Sequence, residues 1–149
     1  IISMLKTTLF FETFFVLFCT FLLNEIATER SLYWSVNEFD SLAPFFGGAF
    51  AGLFFVWFYF FSGIFKPEKR GFKQFFFVSF VGMAFIAVSW EIYELLIGEA
   101  IFAGENYTYD TTLDFIMDSL GGLTACMYGF IKEIDSIKKE LTKIADGRF

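Results

Sequence analysis

The chain has 149 residues, no histidine, a formal net charge of −6, and a composition that is 56% hydrophobic with 26 phenylalanines. That apolar content exceeds the roughly 45–50% of soluble domains. The missing histidines exclude Ser-His-Asp and Cys-His catalysis and imidazole-ligated zinc, and an acidic chain whose basic residues sit beside apolar runs lacks the patch a nucleic-acid partner needs.

Apolar runs near the ~20 residues that cross ~30 Å of hydrocarbon recur along the chain, so the fold class expected is all-α: a four-helix transmembrane bundle with helices over about 5–23, 45–65, 75–97 and 111–131. The first run is longer than a signal-peptide core and carries Glu12. It reads as an uncleaved helix, with Glu12 neutral or reaching the nearby surface. Asn24 to Asp40 follows, with Tyr33 and Trp34 suited to headgroup level. The second run contains Gly48-x-x-x-Gly52, a pattern that admits another helix at close range. Lys66 to Gly71 reads as a turn, because Pro67 ends a helix and Gly71 frees the backbone.

The third run carries Glu91 and Glu94 near its far end, and the fourth carries Asp110, Asp114 and Asp118 near its start. Residues 1–131 therefore form the membrane domain. Residues 132–149 form a polar tail in which Ile134, Ile137, Leu141 and Ile144 recur at three- and four-residue steps. That tail is expected to be an amphipathic helix lying on the membrane surface, or pairing with a partner such as a second copy or another membrane subunit. Ten of the eleven Lys and Arg fall on one side of the four-span arrangement, with only Arg30 opposite. By the positive-inside rule both termini are cytoplasmic and the two acidic loops lie outside. Counted by depth from those basic ends, Cys19 and Cys126 are too far apart for a disulfide.

The acids need an explanation, since a carboxylate at bilayer depth costs roughly 2.5–3.5 kcal/mol on insertion scales. Asp110, Asp114 and Asp118 are spaced to share one helix face, which continues into Gly122, Ala125 and Gly129, while Glu91 and Glu94 share a face of the preceding helix. Counted from the basic ends, Glu91 lies ~26 Å along its helix and Asp118 and Asp114 ~21 and ~27 Å along theirs, so the acids meet at one depth in the outer leaflet. No basic residue in these segments balances them. Either several are protonated, or a divalent cation sits among their oxygens. Hard oxygen donors select Mg²⁺, Mn²⁺ or Ca²⁺, and the expected ligand set is Glu91, Glu94, Asp110, Asp114 and Asp118. No organic cofactor is evident.

Trp90-Glu91-x-x-Glu94, an acidic loop, then Tyr109-Asp110-Thr111-Thr112-Leu113-Asp114-x-x-x-Asp118 and Gly121-Gly122 resemble the pattern of small VanZ-like and YjdF-type integral membrane proteins. The YjdF-type pattern is nearer, because Glu94 and Ser119 stand where the VanZ pattern has Gln and Asn, and the loop lacks an Arg. The resemblance implies a bacterial or archaeal cytoplasmic membrane, marks the five acids as the polar site, and makes Gly121 and Gly122 a close-packing turn. VanZ-like proteins are associated with teicoplanin resistance. The function expected is an outward-facing carboxylate site that binds a divalent cation and, through it, an anionic lipid or cell-envelope precursor headgroup. A cation- or proton-coupled transporter and a non-catalytic scaffold subunit are the alternatives. Binding is better supported than turnover, since neither a nucleophile nor a phosphate-binding Arg is evident in these segments.

Overall fold

The computed structural model describes residues 2–32, 39, 41–97 and 107–147, with side chains placed for these except at 2–7, 94, 97 and 107. The described residues form four helices and no strand: α1 (Ile2–Glu29), α2 (Leu42–Val56, continued by a π-helical turn, Trp57–Phe61), α3 (Phe72–Ile97) and α4 (Tyr107–Ala145). Three stretches, Thr8–Glu29, Leu42–Phe61 and Phe72–Tyr93, are long and apolar enough to cross a membrane. At 1.5 Å per residue each covers about 30 Å or slightly more. Their outer surfaces are apolar, with Phe11, Phe15, Phe77 and Phe85 each about two-thirds exposed. Water would not tolerate that surface on a monomer; lipid does.

Each helix end has a local cause. Beyond α1, Arg30 and Ser31 donate their backbone N–H groups to the Ile26 and Thr28 carbonyls, and Ser31 turns left-handed at φ 53°. Asn24 to Glu29 therefore continue α1; Tyr33 and Trp34 lie outside the described residues. The second helix stops four residues before the expected boundary. Ser62 donates its N–H to the Trp57 carbonyl at 2.9 Å in π-helical fashion, and Gly63 at φ 84° reverses the chain. Gly63, not Pro67, ends this helix. Gly71 starts α3, its carbonyl accepting from Gln74 and Phe75.

The largest departure is α4. Lys132 marks no boundary, and one helix of 39 residues runs from Tyr107 to Ala145, where Gly147 at φ 65° ends it. Helical hydrogen bonding is indifferent to the change from apolar to charged side chains, and neither Gly nor Pro occurs between Phe130 and Asp146. At ~58 Å, α4 is about twice the hydrocarbon thickness.

Packing centres on α2 and α4, which run parallel. An added Cβ on Gly48 would lie 2.6 Å from the Asp118 Cα, one on Gly121 would lie 2.6 Å from the Ala49 nitrogen, one on Gly52 3.0 Å from the Ala125 Cβ, and one on Gly129 2.7 Å from Val56 Cγ1. The register 48/121, 52/125, 56/129 advances four residues at a time on both helices, which is one face of each. Antiparallel α3 lies across this seam. Met83 packs on Gly122, and the buried Ser79 hydroxyl donates to the Gly122 carbonyl at 2.7 Å. Below it Phe60 and Phe75 stack at 4.0 Å within a core that includes Leu9, Leu53, Val56 and Cys126. Other hydroxyls turn back onto their own helices, as Thr13 does to Leu9 and Thr124 to Leu120, so they carry no unsatisfied donor into the apolar layer.

Because the atoms facing Gly48 are backbone, Gly48→Ala forces α2 and α4 apart and should cost about 1–3 kcal/mol. At Gly71 an added Cβ meets only the Gln74 Oε1, the end of a flexible side chain, so Gly71→Ala should cost only the N-cap preference for Gly over Ala, about 0.5 kcal/mol. Unfolding of the two variants in detergent checks this; equal losses would contradict the seam.

Candidate functional site

The end of the bundle where α3 finishes and α4 begins holds a cavity of about 360 Å³ to which all four helices contribute. Glu91 from α3 and Asp114 and Asp118 from α4 line it. Helix spacing places these carboxylates as the sequence requires: α3 and α4 are antiparallel, so the end of one meets the start of the other. Thr111 Oγ1 donates to Glu91 Oε2 at 3.1 Å across that junction. Asp118 sits where the seam is tightest, its Oδ1 3.8 Å from the Cβ position of Gly47, and it interacts electrostatically with Glu91. The absence of a side chain at Gly47 leaves room in front of the carboxylate.

No Lys or Arg is among the lining residues; the wall is completed by apolar groups such as Leu17, Phe21 and Trp90 and by Thr20 and Asn24 of α1. The α1 contribution is absent from the sequence expectation. Its signal was Thr20 and Asn24, a polar pair four residues apart in an otherwise apolar helix. Of the other two expected ligands, Asp110 is exposed and does not line the cavity. It lies in the first turn of α4, where a carboxylate favours the positive end of the helix dipole. The Glu94 side chain lies outside the described residues, as does the loop 98–106. Among the described residues no three His, Cys, Asp or Glu side chains are grouped tightly enough to hold a metal ion directly. The cavity is thus an acid-lined chamber rather than a closed coordination shell. Its volume has room for roughly a dozen waters at ~30 Å³ each.

The opposite end of the bundle balances its charges. Arg70 pairs with Glu133 at 2.7 Å, donates to the Phe60 carbonyl at 2.9 Å, and lies 5.2 Å from the Phe61 ring centroid. The Phe60 carbonyl is one of the last in its helix and has no helical partner; a residue that the sequence marked only as a topological charge caps it. Lys132 donates to Glu12 at 2.7 Å and lies over the Tyr128 ring. Glu12 therefore has a partner inside the chain. Burial opposes the Lys132 charge, but Glu12 and Tyr128 outweigh it and raise its pKa above the ordinary lysine value. Both cysteines are free.

Apolar helices of bilayer length and lipid-compatible outer surfaces define an all-helical integral membrane protein. A family model described as "Predicted membrane protein (DUF2238)" matches residues 3–133, and the chain belongs to that family. No curated protein and no solved structure matches it.

The Glu133 side chain is only 10% exposed in its pair with Arg70, against 31% for Glu12 with Lys132. Glu133→Gln should therefore cost about 2 kcal/mol, as the loss of a charge-assisted buried contact does, and Glu12→Gln less than about 1 kcal/mol. Denaturation midpoints in detergent measure the order; a larger loss for Glu12→Gln would contradict it.

Proposed function

We propose that this protein is a receptor for a hydrated divalent cation at the outer face of the membrane, and that the cation joins the cavity acids to an anionic lipid or envelope-precursor headgroup. The observation that carries this is the convergence of Glu91, Asp114 and Asp118 on one cavity with no basic residue in its wall. Three carboxylates in such a chamber attract a cation strongly. Acids spaced too widely to ligate one ion directly suit Mg²⁺ best, because it dehydrates reluctantly and is commonly held through its own waters. Mn²⁺ and Ca²⁺ are the weaker candidates. An anionic headgroup cannot approach these acids unaided; a cation between them removes the repulsion. The apolar upper wall and the Phe-rich outer surfaces suit the tail of such a lipid. This reading agrees with the resemblance to VanZ-like and YjdF-type proteins.

In this reading all four helices cross the membrane. Although Asp114 and Asp118 lower its hydropathy, α4 packs along α2 and α3 over most of their length and spans whatever they span. The basic-residue count puts both termini in the cytoplasm and the acid cavity outside. A carrier is less well supported, because Gly52, Ser79, Met83 and Gly122 pack in contact below the acids.

The test is calorimetry on the purified protein in detergent. Mg²⁺ should bind, hexamminecobalt(III), a substitution-inert mimic of the hydrated ion, should displace it, and Asp118→Asn should weaken both at least tenfold. Absence of Mg²⁺ binding, or binding indifferent to Asp118→Asn, would reject the cation reading and leave protonated acids. The topology has its own check. On a background lacking Cys19 and Cys126, cysteines at Lys69 and Lys139 should resist an impermeant reagent in intact cells; labelling at either would invert the orientation.

A further inference from the structure

Around α2 the neighbouring helices leave a gap. Phe50 and Trp57 turn towards α1, where they meet Phe14 and Phe10, and Ala51 and Phe55 turn towards α3, where they meet Met83 and Gly82. At roughly 100° per residue these two faces lie about a third of a turn apart, and Ala43 and Gly47 fall between them. Both line the acid cavity. At this level α1 and α3 therefore stand on either side of a slot whose floor is α2, and at Gly47 that floor has no side chain.

The walls of the slot are apolar. Leu17 and Phe21 of α1 line the cavity and are 38% and 57% exposed; Ile86 and Trp90 of α3 do the same and are 40% and 57% exposed. Glu91, Asp114 and Asp118 are half-buried, so the mouth of the cavity is apolar and its inner wall is acidic. Leu17 lies 12 residues before Glu29, where the apolar stretch of α1 ends, and Ile86 seven before Tyr93, where that of α3 ends. At 1.5 Å per residue these are ~18 and ~10 Å below the ends. The mouth therefore opens sideways, at hydrocarbon depth.

We infer that the slot between α1 and α3 is a lateral portal that seats one hydrocarbon chain of the ligand, so that the molecule held at the acids is a lipid entering from the bilayer and not a soluble anion. This rests on the cation reading of the cavity and on its outward orientation. A soluble anion bridged to the acids would face hydrocarbon through the mouth, and a polar group left against an apolar medium without a partner is costly. A lipid avoids that cost, because its headgroup meets the acids while its chain fills the slot. The chain gains little over its place in bulk lipid, since acyl tails are as apolar as the side chains around it. The slot thus contributes access and selectivity, and the headgroup contributes affinity.

Photo-crosslinking in nanodiscs tests it. The discs are phosphatidylcholine with a minor share of phosphatidylglycerol, and p-benzoylphenylalanine replaces either Phe21, in the slot, or Phe18, which is 56% exposed on the same helix but does not line the cavity. With Mg²⁺ present, phosphatidylglycerol should be enriched several-fold over its share among the lipids captured at Phe21, and not at Phe18. Removing Mg²⁺ or introducing Asp118→Asn should abolish the enrichment. Excess glycerol phosphate, which carries the headgroup chemistry without a chain, should not. Equal capture at the two positions, or enrichment indifferent to Mg²⁺, would overturn the portal and leave the cation reading standing if calorimetry still shows Mg²⁺ bound. Loss of the enrichment to glycerol phosphate would overturn it in favour of a soluble anion, and capture of a second protein chain at Phe21 would make the slot an interface instead. Absence of Mg²⁺ binding would remove both readings.

Discussion

The close approach of α2 and α4 is the constraint on which the remaining architecture depends. In lipid the hydrophobic effect does not drive helices together, because acyl chains are as apolar as the side chains they would replace. Helices associate there through van der Waals contact and hydrogen bonds, and both demand proximity. Gly48, Gly52, Gly121 and Gly129 remove the Cβ atoms that would hold the two backbones apart. The large side chains excluded from this line, above all Phe, lie on the outer surfaces or fill the core at the level of Phe60 and Phe75. Once the seam closes, α3 has a groove to occupy, and the Ser79 hydroxyl reaches the Gly122 carbonyl.

That seam also sets the polarity of the molecule. Its upper end stops at Gly48 against Asp118, so the carboxylate is held beside Glu91, in a cavity with no Lys or Arg among the described residues that line it. The other end carries two ion pairs, Arg70 with Glu133 and Lys132 with Glu12. The contrast separates structural acids from candidate functional ones. Glu12 and Glu133 have protein cations beside them and hold helix ends together, whereas no Lys or Arg is among the described residues that line the chamber shared by Glu91, Asp114 and Asp118. Fixing those three acids together costs free energy that a bound cation would offset.

Much of this was legible before the fold. Run length located the helices, and helical spacing plus depth brought Glu91, Asp114 and Asp118 to one level, because those quantities depend only on 1.5 Å per residue and 100° per residue. The same arithmetic could not separate Asp110 from its neighbours. One turn nearer the helix start, it has the right face but lies in solvent. Gly48-x-x-x-Gly52 and Gly121-Gly122 announced close packing, but not that they pack on each other, since that depends on a register between helices 73 residues apart in the chain. The change of composition at Lys132 resembled a boundary because side chains turn from apolar to charged there; the backbone hydrogen bonds do not change. Arg70 looked like a topological charge because the carbonyl it caps exists only where the π turn ends at Phe61.

The register of the seam can be measured without reference to any ligand. Val56 Cγ1 lies 2.7 Å from the Cβ position of Gly129, so the sulfur of Val56→Cys would be within bonding reach of one at Gly129→Cys. On a background lacking Cys19 and Cys126, this pair should form an intramolecular disulfide in the membrane under mild oxidation, seen as loss of both free thiols in a chain of monomer mass. Two thiols that stay free, while Val56→Cys bonds instead to a cysteine at Tyr128, would contradict the parallel glycine seam and the acid cavity built on it.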